Sequence, residues 1–119
     1  MEKIVNVNKM VEVNLLINIR VNNQHFITPE RITLLRKIQQ TGSLNAASKE
    51  MSISYQNAWT IIDEMNKLAP NPLVLKQRGG SGGGGAAISE YGYLIIKEYL
   101  FVEQQVIKFT KQLNTEINL

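Results

Sequence analysis

Two short helical segments separated by a tight turn constrain the fold of this chain more than any other feature of its sequence. Ser43 is a predicted N-cap that opens a helix of small residues from Leu44 to Met51. Ser52-Ile53 forms the turn, and Ser54 caps a second helix from Tyr55 to about Lys67. Two helices joined by three or four residues are typical of a helix-turn-helix. We therefore expect the chain to fold around this pair.

The segment before the pair predicts a β arm and another helix. Apolar and polar residues alternate from Val11 to Val21, which indicates a half-buried strand. Asn22-Asn23-Gln24 supplies turn residues, so Phe26-Ile27 is predicted to pair back as a short hairpin. Thr28-Pro29 then begins a helix that Thr41-Gly42 ends. The sequence thus places a β arm at residues 1–27 and three helices at residues 28–68.

The segment after residue 68 predicts two strands around a glycine-rich loop, followed by a long helix. Leu73-Val74-Leu75 and Ala86-Ala87-Ile88 have the pattern of strands. They place a wing at residues 73–88, directly after the helix-turn-helix. Ser89 caps a helix that continues to about Leu113. We therefore predict one α+β domain over residues 1–119, mainly helical, with the architecture of a winged helix-turn-helix.

The long helix carries a repeating apolar stripe. Its apolar residues recur at alternating steps of four and three, and a spacing that averages about 3.5 is typical of packing against another helix. One small domain does not cover such a stripe by itself. We therefore expect a homodimer that buries this stripe. The expected interface residues are Tyr91, Ile95, Tyr99, Val102, Val106 and Phe109.

Composition excludes several classes of protein. With no cysteine and one histidine among 119 residues, disulfides, thiolate zinc sites and iron–sulfur clusters are ruled out. The carboxylates have no partner at acid/base spacing, so we expect neither an enzyme nor a cofactor. The sequence shows no signal peptide and no apolar run of ~18 residues, so we expect a cytoplasmic protein without a membrane partner. The net charge of +3 is only a mild bias toward nucleic acid.

One face of the helix that begins at Tyr55 carries polar side chains that suit base edges in a major groove. Asp63 lies two turns along this face, and its carboxylate would repel phosphates. Base reading is therefore predicted only for the first two turns. The alternative is an ordinary amphipathic helix with a solvated polar face. Trp59 lies on the flank, where we expect it to pack against the wing or the first helix. The predicted base readers are Ser54, Tyr55, Gln56 and Asn57. The other DNA-binding residues predicted on this helix are Thr60, on the same outward stripe as Gln56, and Lys67, nearer the backbone or solvent.

The glycine run from Lys76 to Gly85 allows four interpretations. In a wing, the glycine backbone approaches DNA while Lys76 and Arg78 contact phosphates, and Gly80, Ser81 and Gly82 form the approaching loop. The run also satisfies G-x-G-x-x-G, but a nearly all-glycine segment matches that pattern trivially and no βαβ series accompanies it. An artificial linker and a loop without a role are the other two interpretations.

Several short strings, taken together, resemble one family. They are Thr41-Gly42-Ser43, Ala46-Ala47, Ile53-Ser54-Tyr55, Ala58-Trp59, Ile62-Asp63-Glu64-Met65-Asn66, the glycine run with Ala86, and Tyr91-Gly92. The set is similar to the N-terminal DNA-binding domain of ModE-type, molybdate-responsive transcription regulators, which is related to the LysR-type winged helix. The resemblance covers about residues 11–113 and argues against an artificial linker.

The resemblance implies a homodimer joined through its first and last helices. It places the helix from Ser54 to Lys67 in the major groove and the glycine wing on the backbone or in the minor groove of double-stranded DNA. Ser43, at the start of the helix pair, is included among the expected DNA-binding residues. The chain is therefore expected to be a sequence-specific DNA-binding transcription regulator.

Two further expectations concern ligands and partners. No segment for a molybdate-binding domain follows the last helix in this sequence, so we expect no ligand-sensing domain and no molybdate binding. The alternative function is a protein–protein interaction module that uses the long helix and the β arm and has no specific DNA site. Salt-dependent DNA binding distinguishes the two functions.

Overall fold

A computed structural model describes residues 11–77 and 85–116 of the chain. Its strands form two antiparallel sheets of two strands each, β1 with β2 and β3 with β4. This arrangement is an α+β winged helix-turn-helix, mainly helical, and it confirms the predicted fold class. The elements in chain order are β1 (Ile19–Val21), β2 (Gln24–Ile27), α1 (Pro29–Thr41), α2 (Leu44–Glu50), α3 (Tyr55–Leu68), β3 (Val74–Gln77), β4 (Gly85–Ile88) and α4 (Glu90–Glu116).

The ends of α1 follow from its local sequence. The hydroxyl oxygen of Thr28 accepts a hydrogen bond from the Arg31 N–H at 3.1 Å. Pro29 occupies the first turn, where a missing N–H costs nothing. Gly42 ends the helix with a φ of 69°, a left-handed conformation in which glycine carries no steric penalty. Both predicted ends of α1 are confirmed.

The β arm is shorter than the sequence predicted. Of the alternating run from Val11 to Val21, only Ile19–Val21 forms a strand, and residues 11–18 form none. The reason is the length of the partner: β2 has four residues, because Thr28-Pro29 begins α1. A strand without a neighbour has no ladder to join. Residues 1–10 of the predicted arm lie outside the described residues.

The hairpin turn of the arm is confirmed. Asn22 and Asn23 both have positive φ, at 50° and 64°. Two successive residues in this conformation suit a two-residue hairpin loop, and asparagine adopts it readily. The pairing of Val21 with Gln24 closes the hairpin.

The hydrophobic core joins all four helices to the wing strands. Fully or almost fully buried side chains come from β2, from each helix, from both wing strands and from Leu73, which directly precedes β3. The core thereby fixes α3 relative to the wing. Representative members are Ile27, Leu35, Leu44, Ile62, Leu73, Ala86 and Ile96.

The last helix extends beyond this core. α4 has 27 residues, which corresponds to a length of about 40 Å. Ile96 and Tyr99, in its first half, are the buried hydrophobic side chains that it gives to the core cluster. None of the described helices has the length and apolar character needed to cross a membrane.

Candidate nucleic-acid interface

Two serine caps define the helix-turn-helix. The Ser43 hydroxyl oxygen accepts from the Ala46 N–H at 3.1 Å, and that of Ser54 accepts from the Asn57 N–H at 3.0 Å. Between the helices Ser52 adopts a left-handed φ of 57°, as expected for a residue of the predicted turn. The predicted ends of α2 and α3 are confirmed to within one residue.

One side of α3 is buried and the opposite side is exposed. The buried residues are Ala58, Ile61, Ile62 and Met65. The exposed stripe, called here the outer face, consists of Gln56, Thr60, Asp63 and Lys67. The Thr60 hydroxyl donates to the Gln56 carbonyl oxygen at 3.1 Å, so its proton is used within the helix. The Gln56 amide, in the first turn of α3, is thus the neutral group on the outer face best suited to pair with a base edge.

Contacts on both flanks of α3 fix the direction of the outer face. On one flank, the Asn66 amide nitrogen donates to the Val74 carbonyl at 3.1 Å, and its oxygen accepts from the Leu73 N–H at 2.8 Å. On the other flank, the Arg31 guanidinium of α1 forms an ion pair with Glu64. The outer face lies between these two contacts. α3 is therefore attached to the wing on one side and to α1 on the other.

A pair of aromatic side chains lies at the first turns of α3. The Tyr55 ring meets the Trp59 ring edge-on, with 6.3 Å between centroids and 89° between planes. The Lys76 ammonium nitrogen of β3 lies 4.7 Å from the centroid of the Trp59 ring. Trp59 therefore contacts the wing, which is one of the two packings that the sequence predicted for it.

The wing strands continue directly into α4. β3 and β4 pair in register from Val74 with Ile88 to Gln77 with Gly85. The Ser89 hydroxyl caps α4 by accepting from the Gly92 N–H at 2.9 Å. Lys76 is exposed near the end of β3. The predicted wing residues Arg78, Gly80, Ser81 and Gly82 lie outside the described residues.

The six predicted interface residues of α4 occupy two environments. Tyr91 and Ile95 are half-buried against the core, and Tyr99 is buried at 3% exposure. Val106 is half-buried, whereas Val102 and Phe109 are 43% and 54% exposed. The stripe borders the core side of α4, so the chain itself covers it where α4 runs beside the core. Burial, and secondarily the charge of Glu103, raises the pKa of the Tyr99 phenol above its ordinary value.

Three contacts that position the interface were not predicted. The sequence predicts no partner for Asn66 or Arg31, and it does not predict that the Ser89 hydroxyl, besides capping α4, donates to the Pro72 carbonyl oxygen at 2.6 Å. Glu64 and Asn66 belong to one of the strings that resemble the ModE type, and that string is the signal in the sequence that points to these two residues. Within the described residues, no cluster of three or more histidine, aspartate or glutamate side chains could hold a metal ion.

A capped helix pair with an exposed outer face, followed by an antiparallel wing, defines a winged helix-turn-helix protein. The sequence is 38% identical over 95 residues to the transcriptional regulator ModE of Haemophilus influenzae, a match that covers 80% of this chain and 37% of the relative. It is 37% identical over 94 residues to the DNA-binding transcriptional dual regulator ModE of Escherichia coli, covering 79% of this chain and 36% of the relative. The matched segment is thus a ModE-type winged helix, and the resemblance is confirmed.

Relatives with another name also match. The molybdenum-pterin-binding protein MopB of Rhodobacter capsulatus is 38% identical over 90 residues, which is 76% of this chain and 33% of the relative. The chain therefore spans about a third of the length of the curated relatives that it matches. No family model matches the chain.

Proposed function

We propose that this chain is a sequence-specific DNA-binding transcription regulator that acts as a homodimer in the cytoplasm. The observation that carries the proposal is the outer face of α3, which is exposed along its length while both flanks of the helix are fixed to neighbouring elements. A helix held in this way presents a preorganised surface to a major groove, so little ordering is needed on binding. The names of the ModE relatives support DNA as the partner.

Base reading is assigned to the first two turns of α3. Gln56 and Thr60 lie on the outer face, and Tyr55 and Asn57 flank it at the helix entrance. A Gln or Asn amide matches the donor and acceptor pattern of adenine N6 and N7. Asp63 carries a charge that phosphates repel, which limits close approach farther along the helix.

Phosphate contacts are assigned to the two ends of the interface and to the wing. Ser43 begins α2 and Lys67 ends the outer face, whereas Ser54, at the start of α3, stays with the base readers. Lys76 and Arg78 supply positive charge to the wing, where Gly80, Ser81 and Gly82 let the backbone approach DNA closely. A phosphate that is neutralised by the protein releases its counterions. Each lost contact should therefore reduce the slope of the logarithm of the binding constant against the logarithm of the salt concentration by about 0.9 in magnitude.

The homodimer is assigned to the exposed part of the α4 stripe. Val102 and Phe109 present apolar side chains to water, and Val106 lies half-buried between them. A second copy related by two-fold symmetry covers the same residues on both chains. Two α3 helices then read half-sites about 34 to 36 Å apart, or a multiple of that distance, in a pseudo-palindrome.

Sequence selection from a random duplex pool tests the proposed function. The wild-type protein should recover one pseudo-palindromic motif, and Gln56→Ala and Asn57→Ala should each relax or change it. The expected cost is about 1 to 3 kcal/mol of discrimination for each lost bidentate pair. Gln40→Ala, an exposed amide at the end of α1, is the matched control and should recover the wild-type motif. A wild-type protein that recovers no motif would overturn the proposal.

A further inference from the structure

α3 holds the wing strand at two points on the same flank. Trp59 and Asn66 are seven residues apart, which is two helical turns, and they contact β3 at Lys76 and at Val74 respectively. Val74 and Lys76 are themselves two residues apart on one strand. β3 is therefore joined to one flank of α3 by two side-chain contacts, an anchor at Asn66 and a second anchor at Trp59 nearer the start of the glycine loop.

The two anchors differ in strength. Asn66 makes two hydrogen bonds with partly buried backbone atoms, whereas Lys76 is exposed and meets Trp59 through its charge. An exposed cation on an aromatic face contributes a factor of about two to five in an equilibrium constant. The Asn66 anchor is thus a permanent part of the fold. The Trp59 anchor is weaker, so Lys76 can adjust its position when it binds a phosphate.

Lys76 remains able to meet a phosphate while it lies over the ring. Among the described residues it forms no ion pair, in contrast to Arg31 and Lys37. An ammonium group has three N–H donors, and an aromatic face does not use all of them. The ring therefore restricts the motion of the long side chain without neutralising its charge.

We propose that Trp59 is a positioning residue for DNA recognition, which holds the Lys76 ammonium beside the first turns of α3. The edge-on contact with Tyr55 fixes the orientation of the ring that does so. Lys76 of β3 can then contact a phosphate while the first turns of α3 contact bases, without a change in the position of either element. Less side-chain entropy is lost when Lys76 meets a phosphate, because the ring has already restricted it. This inference rests on the proposed function.

Fluorescence tests the contact without DNA. Trp59 is the single tryptophan of the 119 residues, so emission excited at the long-wavelength edge of its absorption, where tyrosine does not absorb, reports this site alone. Lys76→Met removes the charge, keeps the length of the side chain and should change the intensity or wavelength of the emission. Lys67→Met on the outer face is the matched control and should leave it unchanged. An emission that Lys76→Met does not alter would overturn the contact in solution.

A double-mutant cycle tests the role in recognition. The probe is a duplex carrying the sequence that the wild-type protein selects. Lys76→Met should weaken binding to this duplex. It should also reduce the slope of the logarithm of the binding constant against the logarithm of the salt concentration by about 0.9 in magnitude, as expected for one phosphate contact. In a Trp59→Leu background the same change should weaken binding by about two- to fivefold less. Trp59→Phe keeps a weaker aromatic face, so the effect of Lys76→Met in that background should lie between its effects in the wild-type and Trp59→Leu backgrounds.

The outcomes separate the inference from the proposed function. Lys67→Met should have the same effect in the wild-type and Trp59→Leu backgrounds, because it does not touch the ring. Additive effects of Trp59→Leu and Lys76→Met, with wild-type binding intact, would overturn the inference alone. If Trp59→Leu fails to fold, Trp59→Phe takes its place: Lys76→Met should then weaken binding less than it does in the wild-type protein, because phenylalanine offers a cation a weaker aromatic face than tryptophan, and an equal effect in both backgrounds would overturn the inference. A wild-type protein that binds no duplex would overturn the proposed function and the inference together.

Discussion

Gly92 of α4 lies directly against the carbonyl oxygen of Leu73, closer than any Cβ at that position allows. Leu73 is held from three directions. Its N–H donates to Asn66 of α3 at 2.8 Å, and its carbonyl accepts from the Ser89 N–H at 2.9 Å. The fully buried Leu73 side chain anchors the same residue in the core. One residue thus sets the start of the wing relative to both α3 and α4.

Gly92→Ala should destabilise the protein, although alanine in a helix normally adds about 1 kcal/mol relative to glycine. A Cβ would overlap the Leu73 oxygen and come within 2.8 Å of the Ile88 Cγ2 atom. Forcing atoms into a packed site costs about 1 to 3 kcal/mol, which outweighs the helical gain. Urea denaturation measures the net effect. Glu98→Ala, exposed on the same helix, is the control; a more stable Gly92→Ala would contradict the close contact.

Asn66→Ala should lower the free energy of unfolding by roughly 1 to 3 kcal/mol, because it leaves the partly buried Leu73 N–H without a partner. Asn66→Asp keeps the acceptor but loses the donor to Val74, so an intermediate loss is expected. Denaturant titration gives both values. Asn45→Ala, an exposed asparagine of α2, should change stability by less than about 0.5 kcal/mol. Equal stability of Asn66→Ala and Asn45→Ala would show that the side chain does not hold the wing.

The parts of this fold that the sequence predicted well are those that local chemistry decides. Thr28, Ser43 and Ser54 each cap the helix that follows, and their donors lie three residues away along the chain. Such contacts form wherever the cap and helix occur together. Their positions can therefore be read from a single sequence without knowledge of the tertiary structure.

The parts that were missed depend on elements distant in sequence. Arg31 and Glu64 are 33 residues apart, and nothing in the helical pattern of α3 indicates that pair. The predicted length of the β arm was wrong for a related reason. The alternation from Val11 predicts which face of a strand is buried, but it does not predict whether a partner strand exists. Likewise the period of α4 predicted a stripe that includes Tyr99, whereas only the tertiary structure shows how far along the helix the core extends.

The buried Tyr99 phenol should make the protein less stable at high pH. Because its pKa is raised in the folded state, the unfolded chain releases the proton first as pH rises above the ordinary value of about 10. Stability is thus unaffected by this group below that pH and falls above it. Urea midpoints between about pH 9 and 11 should fall less steeply for Tyr99→Phe. Tyr93→Phe, at an exposed tyrosine of the same helix, should keep the wild-type slope; identical slopes for all three proteins would contradict the assignment.

Molybdate should not change the DNA affinity of this 119-residue chain. The contacts that direct the outer face of α3, at Asn66 and between Arg31 and Glu64, lie within the described residues and use protein groups alone. Binding isotherms with molybdate or tungstate should therefore match those with sulfate at equal ionic strength. The sulfate control is needed because salt itself weakens binding to DNA. A shift with molybdate alone would reveal an oxyanion site within these residues.

Phe109→Glu should convert a homodimer into a monomer. Phe109 and Val102 are the exposed members of the predicted α4 stripe, and a buried charge without a partner at a two-fold interface is repeated on both chains. Light scattering at tens of micromolar gives the mass before and after the substitution. The wild-type protein should have the mass of two chains, and the variant that of one with an unchanged helical content.

Phe101→Glu is a closely matched control for that substitution. Phe101 and Phe109 are both 54% exposed on α4, but they are eight residues apart and so point about 80° away from each other around the helix. Phe101 borders a groove between α4 and α1 that also contains Arg36 and Gln39. If Phe109→Glu leaves the dimer intact and Phe101→Glu dissociates it, the second copy binds in that groove and not on the stripe. A wild-type monomer would remove the two-fold argument for a pseudo-palindromic site.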